Sequence, residues 1–492
     1  MNLAQLTANA SLIAPEIALC IAGLVLAVAA PVLKTVSEQR RGTIFCAVAL
    51  IGFAIAFVLN ADRFGGAESA FSGTLYLDDF SAFFNSIFLA SAAAASLFAA
   101  SYIRESERLG EFLALVSLCV PGMMLMAESV EFVSLFVSFE VVSICAYALA
   151  GFSSRTVAPA EAGIKYLVTG GFSSAVMLLG IALLYGGTGS LEFGVISGAF
   201  EASPSNPMLL AGAALVFTGF IFKAGAAPLH QWIPDVYHGA PMPATAFMSV
   251  GVKVAAIAVL ARFVVEIGSA GQWALPVIVS AVAAVTMLAG NISAIAQSNV
   301  KRMLAYSSVA HVGYVLVGVA AYLSGDDPAG LSGVFYYSYA YAAVSLGAFG
   351  LLSVLGRDGN EYQTFGDISG LWRTKPAAAL ALAVFMFALA GVPPTIGFFA
   401  KYRVFLPAAQ EGLHFLVVFA LVNSVVSAYY YLKVAVFAFM KPVSKQQTAG
   451  WKAGLGARAA VALLCVVTLL LGIAPFDTAG LAESAARALT LR

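Results

Sequence analysis

"IFKAGAAPLHQWIPDVYHGAPMPATAF", residues 221–247, is the stretch on which the reading of the whole chain turns. Lys223 sits near the inner end of an otherwise apolar helix, and Pro228, Pro234, Pro241 and Pro243 follow it. A charge at the centre of a membrane helix costs roughly 2.5–3.5 kcal/mol even on permissive insertion scales, so an ammonium group there marks a candidate functional site. Proline removes a backbone donor and clashes with the preceding turn. The carbonyls it frees survive at membrane depth only beside protein or water. The stretch predicts an interrupted membrane helix that carries a buried cation.

The surrounding composition agrees with a membrane setting. Of 492 residues, 61% are hydrophobic and 10% charged, with mean hydropathy +0.93, whereas soluble domains carry about 25% charged residues. Runs of roughly 20 apolar residues suffice to cross a bilayer. They fall near 11–33, 43–60, 79–103, 111–127, 131–151, 160–185, 208–227, 243–265, 273–290, 300–323, 330–355, 378–408, 412–440 and 459–474. The expected fold is all-α, a polytopic membrane protein of about fourteen spans with little left for a soluble domain. Lys34 is the first basic residue, so the opening run lacks the positive region of a cleaved signal peptide and reads as a retained span.

Connections after odd-numbered spans carry Lys34, Arg40, Arg41, Arg104, Arg108, Arg155, Lys301, Arg302, Arg357, Arg373, Lys375, Lys441, Lys445, Lys452 and Arg458. The other side has only Arg63, Arg262, Arg403, Arg487 and Arg492. Short basic loops stay cytoplasmic, which puts both termini outside the cytoplasm. Zero net charge suggests no nucleic-acid partner. Cys20, Cys46, Cys119, Cys145 and Cys465 show no metal or redox spacing and read as small apolar residues. With four scattered histidines and no Gly-rich phosphate loop, no haem, iron–sulfur, flavin or nucleotide site is expected in this chain.

Five lysines lie inside spans, Lys165, Lys223, Lys253, Lys401 and Lys433, and of the carboxylates only Glu140 is deep. None of the five cations is arginine. A guanidinium stays charged wherever it is buried, whereas desolvation lets an ammonium group give up its proton. The choice of lysine points to groups that lose and regain protons. Glu140, Ser143 and Tyr147 share a helical face, as do Thr245, Ser249 and Lys253; Lys165, Thr169 and Ser173; Ser307, His311 and Tyr314; and Asn423, Ser427 and Tyr431. These stripes suit a hydrated path, or ordinary interhelical hydrogen bonding. His311 suits proton exchange or a hydrogen-bonded core. Lys433 and Lys165 also suit snorkelling from near span ends, His230 and His238 with Asp235 read as loop bracing, and Glu16, Asp78, Asp79, Glu128 and Glu131 as solvated or interfacial. A second break, GVPP at 391–394, precedes Lys401. Spans 7 and 12 cross in opposite directions, so paired breaks point to an inverted repeat around a central pathway, or else to two unrelated kinks.

The segments "KAGAAPLHQWIPDVYHGAPMPATAFMSVGVK", "GVPPTIGFFAKYRVF", "EAGIKYLVTGGFSSAVMLLGIALLYGGTGS" and "VNSVVSAYYYLKV" resemble the antiporter-like N subunits of bacterial NADH:quinone oxidoreductase, respiratory complex I. The likeness spans nearly the whole chain, and its PDVY–GAP–P element is specific. It implies fourteen helices, divided as spans 1–3 (1–110), a first repeat of spans 4–8 (111–266), a second of spans 9–13 (273–440), and span 14 with the C-terminus (459–492). By resemblance the family's essential Glu of span 5 matches Glu140, and its lysines of spans 7, 8 and 12 match Lys223, Lys253 and Lys401. These are the same four that the cost of burial selects. The likeness also implies no cofactor here, with FMN, iron–sulfur clusters and quinone in partner subunits of the membrane arm and beyond, lipid around the chain, and a bacterial cytoplasmic membrane. The chain ends about 18 residues after its last span, so no long lateral helix is expected.

The expected mechanism has Glu140 holding Lys223 charged by ion pairing. Their separation passes a proton to Lys253 and, with His311 as a relay, to Lys401 and the outer side, while Lys165 modulates the set. The alternatives are the D-type subunit of a multisubunit sodium/proton antiporter and a passive scaffold of the arm.

Overall fold

A computed structural model of the chain describes residues 3–33, 37–103, 105–152, 157–268, 274–356, 361–443 and 453–491. Lys34, Arg104, Arg155, Arg357, Lys445, Lys452 and Arg492, part of the expected charge asymmetry, lie outside the described residues. Thirteen described helices are long and apolar enough to cross a membrane. They are span 1 (Ala14–Val32), span 2 (Glu38–Ala61), span 3 (Asp79–Tyr102), span 4 (Ser106–Glu128), span 5 (Phe132–Ala150), span 6 (Val157–Thr188), span 7 (Pro207–Ala224), span 8 (Met242–Gly268), span 9 (Ala274–Ile295), span 10 (Val300–Gly325), span 11 (Pro328–Leu355), span 13 (His414–Met440) and span 14 (Leu455–Ile473). The fourteenth crossing, span 12, is two shorter helices, Pro376–Ala390 and Ile396–Gln410. A short hairpin, Glu68–Ala70 with Leu75–Leu77, joins spans 2 and 3, and a helix Phe476–Thr490 follows span 14.

Spans 7 and 12 stop in the same way. Gly225 and Gly391 both have φ +84°, the left-handed conformation that glycine reaches without a Cβ penalty. The Gly225 and Ala226 N–H groups donate back to Ile221 O, at 2.9 and 3.0 Å, and those of Gly391 and Val392 to Phe387 O, each at 3.0 Å. After its stop, span 7 resumes as the helix Trp232–Gly239. The prolines and glycines of the sequence therefore act where expected, as terminators of half-helices inside the bundle.

Spans 8 and 10 are each 94% buried over their apolar centre and span 11 is 89% buried, against 28–33% for spans 1, 2, 9, 13 and 14. The central three are thus enclosed by protein. The peripheral ones keep apolar side chains such as Phe415 and Val425 on the outside, as a lipid-facing surface requires. Close approach of the layers needs small residues. A Cβ on Gly290 of span 9 would come within 2.5 Å of Ala310 N in span 10.

Charges at the helix ends correct the sequence-based expectation. Glu16, Asp78 and Glu128 are buried, not solvated, and so are Arg262 and Lys301, assigned above to loops. Arg63 donates to Glu16 Oε2 at 2.9 Å and to Glu128 Oε1 at 2.8 Å. Arg262 pairs with Asp78 at 3.2 Å and donates from Nε to Ala127 O at 2.9 Å. Charge pairing across helices supplies what water would have supplied. Glu131 does behave as an end residue, capping span 5 through the Val133 and Ser134 N–H groups.

Candidate functional site

Four of the buried groups singled out by sequence line the middle of the bundle, on spans 7, 8, 10 and 12. Lys223, in the last turn of the first half of span 7, is 2% exposed. Its Nζ donates to Ser143 Oγ of span 5 at 2.6 Å and lies 4.7 Å from the centre of the Phe139 ring. Tyr147 and Tyr166 face the same ammonium, each ring centre 5.7 Å away. Glu140 is half-buried and accepts from Ser174 Oγ of span 6 at 2.5 Å. It makes no ion pair with Lys223 within 4.0 Å. The expected pairing is therefore open, with Ser143, one turn along from Glu140, in the carboxylate's place.

Lys253 is likewise 2% exposed. A π-helical turn, Met248–Val252, immediately precedes it and turns it toward span 10. There its Nζ donates to Ser308 Oγ at 2.8 Å and to Ser308 O at 3.0 Å. One turn further along span 10, both ring nitrogens of His311 are engaged. Nδ1 meets the Tyr337 hydroxyl at 2.5 Å, and Nε2 meets the Tyr431 hydroxyl at 2.9 Å. Tyr431 also hydrogen-bonds Ser307. Another turn on, Tyr314 presents its ring to Lys401, whose Nζ is 5.1 Å from the ring centre. Lys401 donates to Ser424 Oγ of span 13 at 2.7 Å and to Ala390 O at 2.8 Å. Ala390 ends the first half of span 12, so its carbonyl is one that the break frees, and the negative end of that half-helix faces the ammonium.

Span 10 is thus the shared backbone of the site, touching Lys253 through Ser308 and Lys401 through Tyr314. Hydroxyls both donate and accept, so those beside Lys253, His311 and Lys401 can relay protons between the three sets once partners are exchanged. A cavity of about 10 Å³ beside His311, Tyr337 and Tyr341 has room for at most one water.

The sequence stripes contain the partners Ser143, Ser307, Tyr314 and Tyr431 but not Asn291, Ser308 or Ser424. Asn291 of span 9 gathers Tyr314, Tyr430 and Asn423, with Tyr430 donating to its Oδ1 at 2.9 Å. Its only signal was one amide in an apolar run. Ser308 and Ser424 lie on helical faces next to the stripes chosen. Lys165 is a correction. Its side chain is 45% exposed and pairs with Glu161 at 2.8 Å and Asp235 at 3.0 Å, so it faces away from the buried set. Arg302 joins Asp235 at 2.7 Å, which makes that carboxylate a brace between spans 6 and 10. Lys433 reaches Gln297 O at 3.4 Å and lies over Phe365, apart from the site. On the expected cytoplasmic side, fully buried Lys301 pairs with Glu361 at 3.0 Å, and Tyr102 and the Met242 N–H also donate to Glu361. Burial pushes the Glu361 carboxyl up, but Lys301, Tyr102 and Gln363 outweigh it and hold the group below its ordinary value.

Comparison with known proteins follows the same geography. The family model described as NADH:quinone oxidoreductase/Mrp antiporter, TM, matches residues 127–427, which include every residue of the central row. NADH-quinone oxidoreductase subunit N of Trichlorobacter lovleyi is 40% identical over 90% of this chain and 90% of its own. A chain of respiratory complex I from Thermus thermophilus superposes with TM-score 0.78 at 32% identity, over 94% of this chain and 99% of that one. A chain of the Mrp complex from a Dietzia species has TM-score 0.83 over 98% and 97%, but at 23% identity it attests the fold alone.

Proposed function

This chain belongs to the NADH:quinone oxidoreductase/Mrp antiporter transmembrane family, and from that premise we propose that it is a proton-translocating membrane-arm subunit of an NADH:quinone oxidoreductase. Its partners are the other subunits of that complex, which hold the flavin, the iron–sulfur clusters and the quinone and carry out the redox chemistry. Spans 4–8 and 9–13 form two inverted repeats, and the matching stops of spans 7 and 12 support that division. Both termini lie outside the cytoplasm of a bacterial cytoplasmic membrane, and lipid surrounds the exposed spans.

One observation carries the reading. Among the described residues, Lys223, Lys253 and Lys401 are buried with only hydroxyl, carbonyl and aromatic partners and no carboxylate within ion-pairing distance. A carboxylate beside an ammonium favours the charged form, and its withdrawal favours release of the proton. Glu140, turned to Ser174, is in the withdrawn position. Swinging back to Lys223 reloads that site. From Lys223 the proton passes to Lys253, then along the Ser308–His311 side of span 10, beside Tyr431 of span 13, to Lys401 and out. Moving one charge against 100 mV costs about 2.3 kcal/mol. A hydrogen bond to a charged group contributes about 1.5–3 kcal/mol, so exchanging one or two partners is on the right scale. Lys165, outside the row, acts only through the Asp235 brace.

The test is Lys253→Ala in native membranes, with quinone reductase and proton pumping measured together. The expected result is a fully assembled complex whose pumping per electron falls. An unchanged ratio would leave the chain a scaffold and sink the proposal. The sodium/proton exchange reading rests on the Mrp likeness, and purification with flavin and iron–sulfur subunits separates the two.

A further inference from the structure

Outside the lysine row, the most unusual charge balance lies between spans 1, 3 and 4. Glu16 and Glu128 are 2% and 0% exposed, and one guanidinium serves both. Arg63 holds Glu16 through Nη1 and Nη2, each at 2.9 Å, and Glu128 Oε1 through Nη1 at 2.8 Å, while Nη2 also reaches Leu12 O at 2.5 Å. Asn85 of span 3, itself 0% exposed, donates from Nδ2 to the same Glu128 oxygen at 2.9 Å. Glu128 Oε2 and Asn85 Oδ1 are buried with no donor among the described residues. The two carboxyl groups share one nitrogen, Arg63 Nη1, which lies 2.9 Å from Glu16 Oε1 and 2.8 Å from Glu128 Oε1. Among the described residues, the Cys20 thiol, one turn beyond Glu16 on span 1, also faces the cluster.

Two carboxylates against one guanidinium leave an uncompensated negative charge in a sealed site. Like charges in contact do not both ionise there, because the interior solvates neither. A proton on Glu128 Oε2 cancels the excess charge and spares the site an ionised oxygen that has no donor. We propose that Glu16 and Glu128 together bind one exchangeable proton beneath Arg63, a protonation site separate from the row of lysines. The ligand is a single proton, taken up as the pair Glu–COOH/Glu–COO⁻ and released to water as the second carboxylate forms. The site does not depend on the path above, but a connection exists. Arg262 of span 8 binds Ala127 O, one residue from Glu128. Arg262 is nine residues beyond Lys253 on the same span, about 13.5 Å at 1.5 Å per residue. Movement of span 8 therefore reaches the end of span 4 that carries the pair.

Infrared spectra of the assembled complex in H₂O and D₂O, native against Glu128→Gln and Glu16→Gln, test the proposal. At neutral pH the native complex is expected to show a protonated-carboxyl C=O band that moves in D₂O and is absent from each variant. Native-minus-variant spectra containing only carboxylate bands overturn it. The amide copies the neutral acid in charge and still offers a donor, so Glu128→Gln is expected to assemble with native quinone reductase activity, whereas Arg63→Ala is not. A Glu128→Gln chain that fails to assemble also overturns the proposal, because then the ionised carboxylate itself was needed. None of these readings involves pumping, so failure here and failure of the lysine path are told apart.

Discussion

The three central lysines differ from the other buried cations in what they touch. Arg63, Arg262 and Lys301 each meet at least one carboxylate, whereas Lys223, Lys253 and Lys401 meet only neutral oxygens and rings. The first kind is built to stay charged and hold helices together. The second kind lacks the neighbouring carboxylate that would favour its charged form. Glu361 shows the structural kind most clearly. Its carboxyl is held below the ordinary value of about 4.3, so its contribution to stability is present above that value and is lost as pH falls through its lower folded-state pKa. Removing one member of a buried pair costs about 3–5 kcal/mol. Glu361→Gln is therefore expected to lower thermal stability by several degrees at neutral pH, with the gap to the native chain closing in acid below the carboxylate range. A gap that stays constant with pH would mean that the charge on Glu361 is idle.

At the scale of elements, the two interrupted helices place their ends where the site needs them. Gly391 stops the first half of span 12 so that Ala390 O faces Lys401, and a Cβ there would lie 2.9 Å from Lys401 Cδ and 3.1 Å from Nζ. Gly391→Ala thus imposes a left-handed conformation that costs about 1–2 kcal/mol and also pushes the ammonium off its carbonyl. The expected outcome is a modest fall in melting temperature with a much larger fall in pumping per electron, read in the same membranes. Equal losses of assembly and pumping would make the break a matter of folding alone. The π-helical turn before Lys253 acts in the same sense, re-aiming one side chain within a span that is otherwise sealed. The positions of both breaks were legible from GAAP and GVPP. The π-turn was not, because the lone Gly251 of MSVGV is the kind of isolated glycine that a continuous helix tolerates.

For the whole molecule, sidedness is the property that transport depends on. The basic loops predict both termini on the outer face, so a tag at either end is expected to be reached by an impermeant reagent in right-side-out vesicles and protected in inverted ones. The opposite pattern would reverse the direction assigned to the proton. The chain by itself determined the class of protein, the number and order of crossings, the two breaks and the four groups too costly to bury without purpose. All of these follow from local run length and residue type, which no packing alters. Only the tertiary structure decided which faces meet. It paired Lys253 with Ser308, turned Glu140 away from Lys223, set Lys165 outside, and sealed Glu16 and Glu128 around Arg63. The physical reason is that lipid and protein interior are equally apolar. Hydropathy therefore does not tell a lipid-facing stripe from a core-facing one, nor a helix end in water from one closed over by its neighbours.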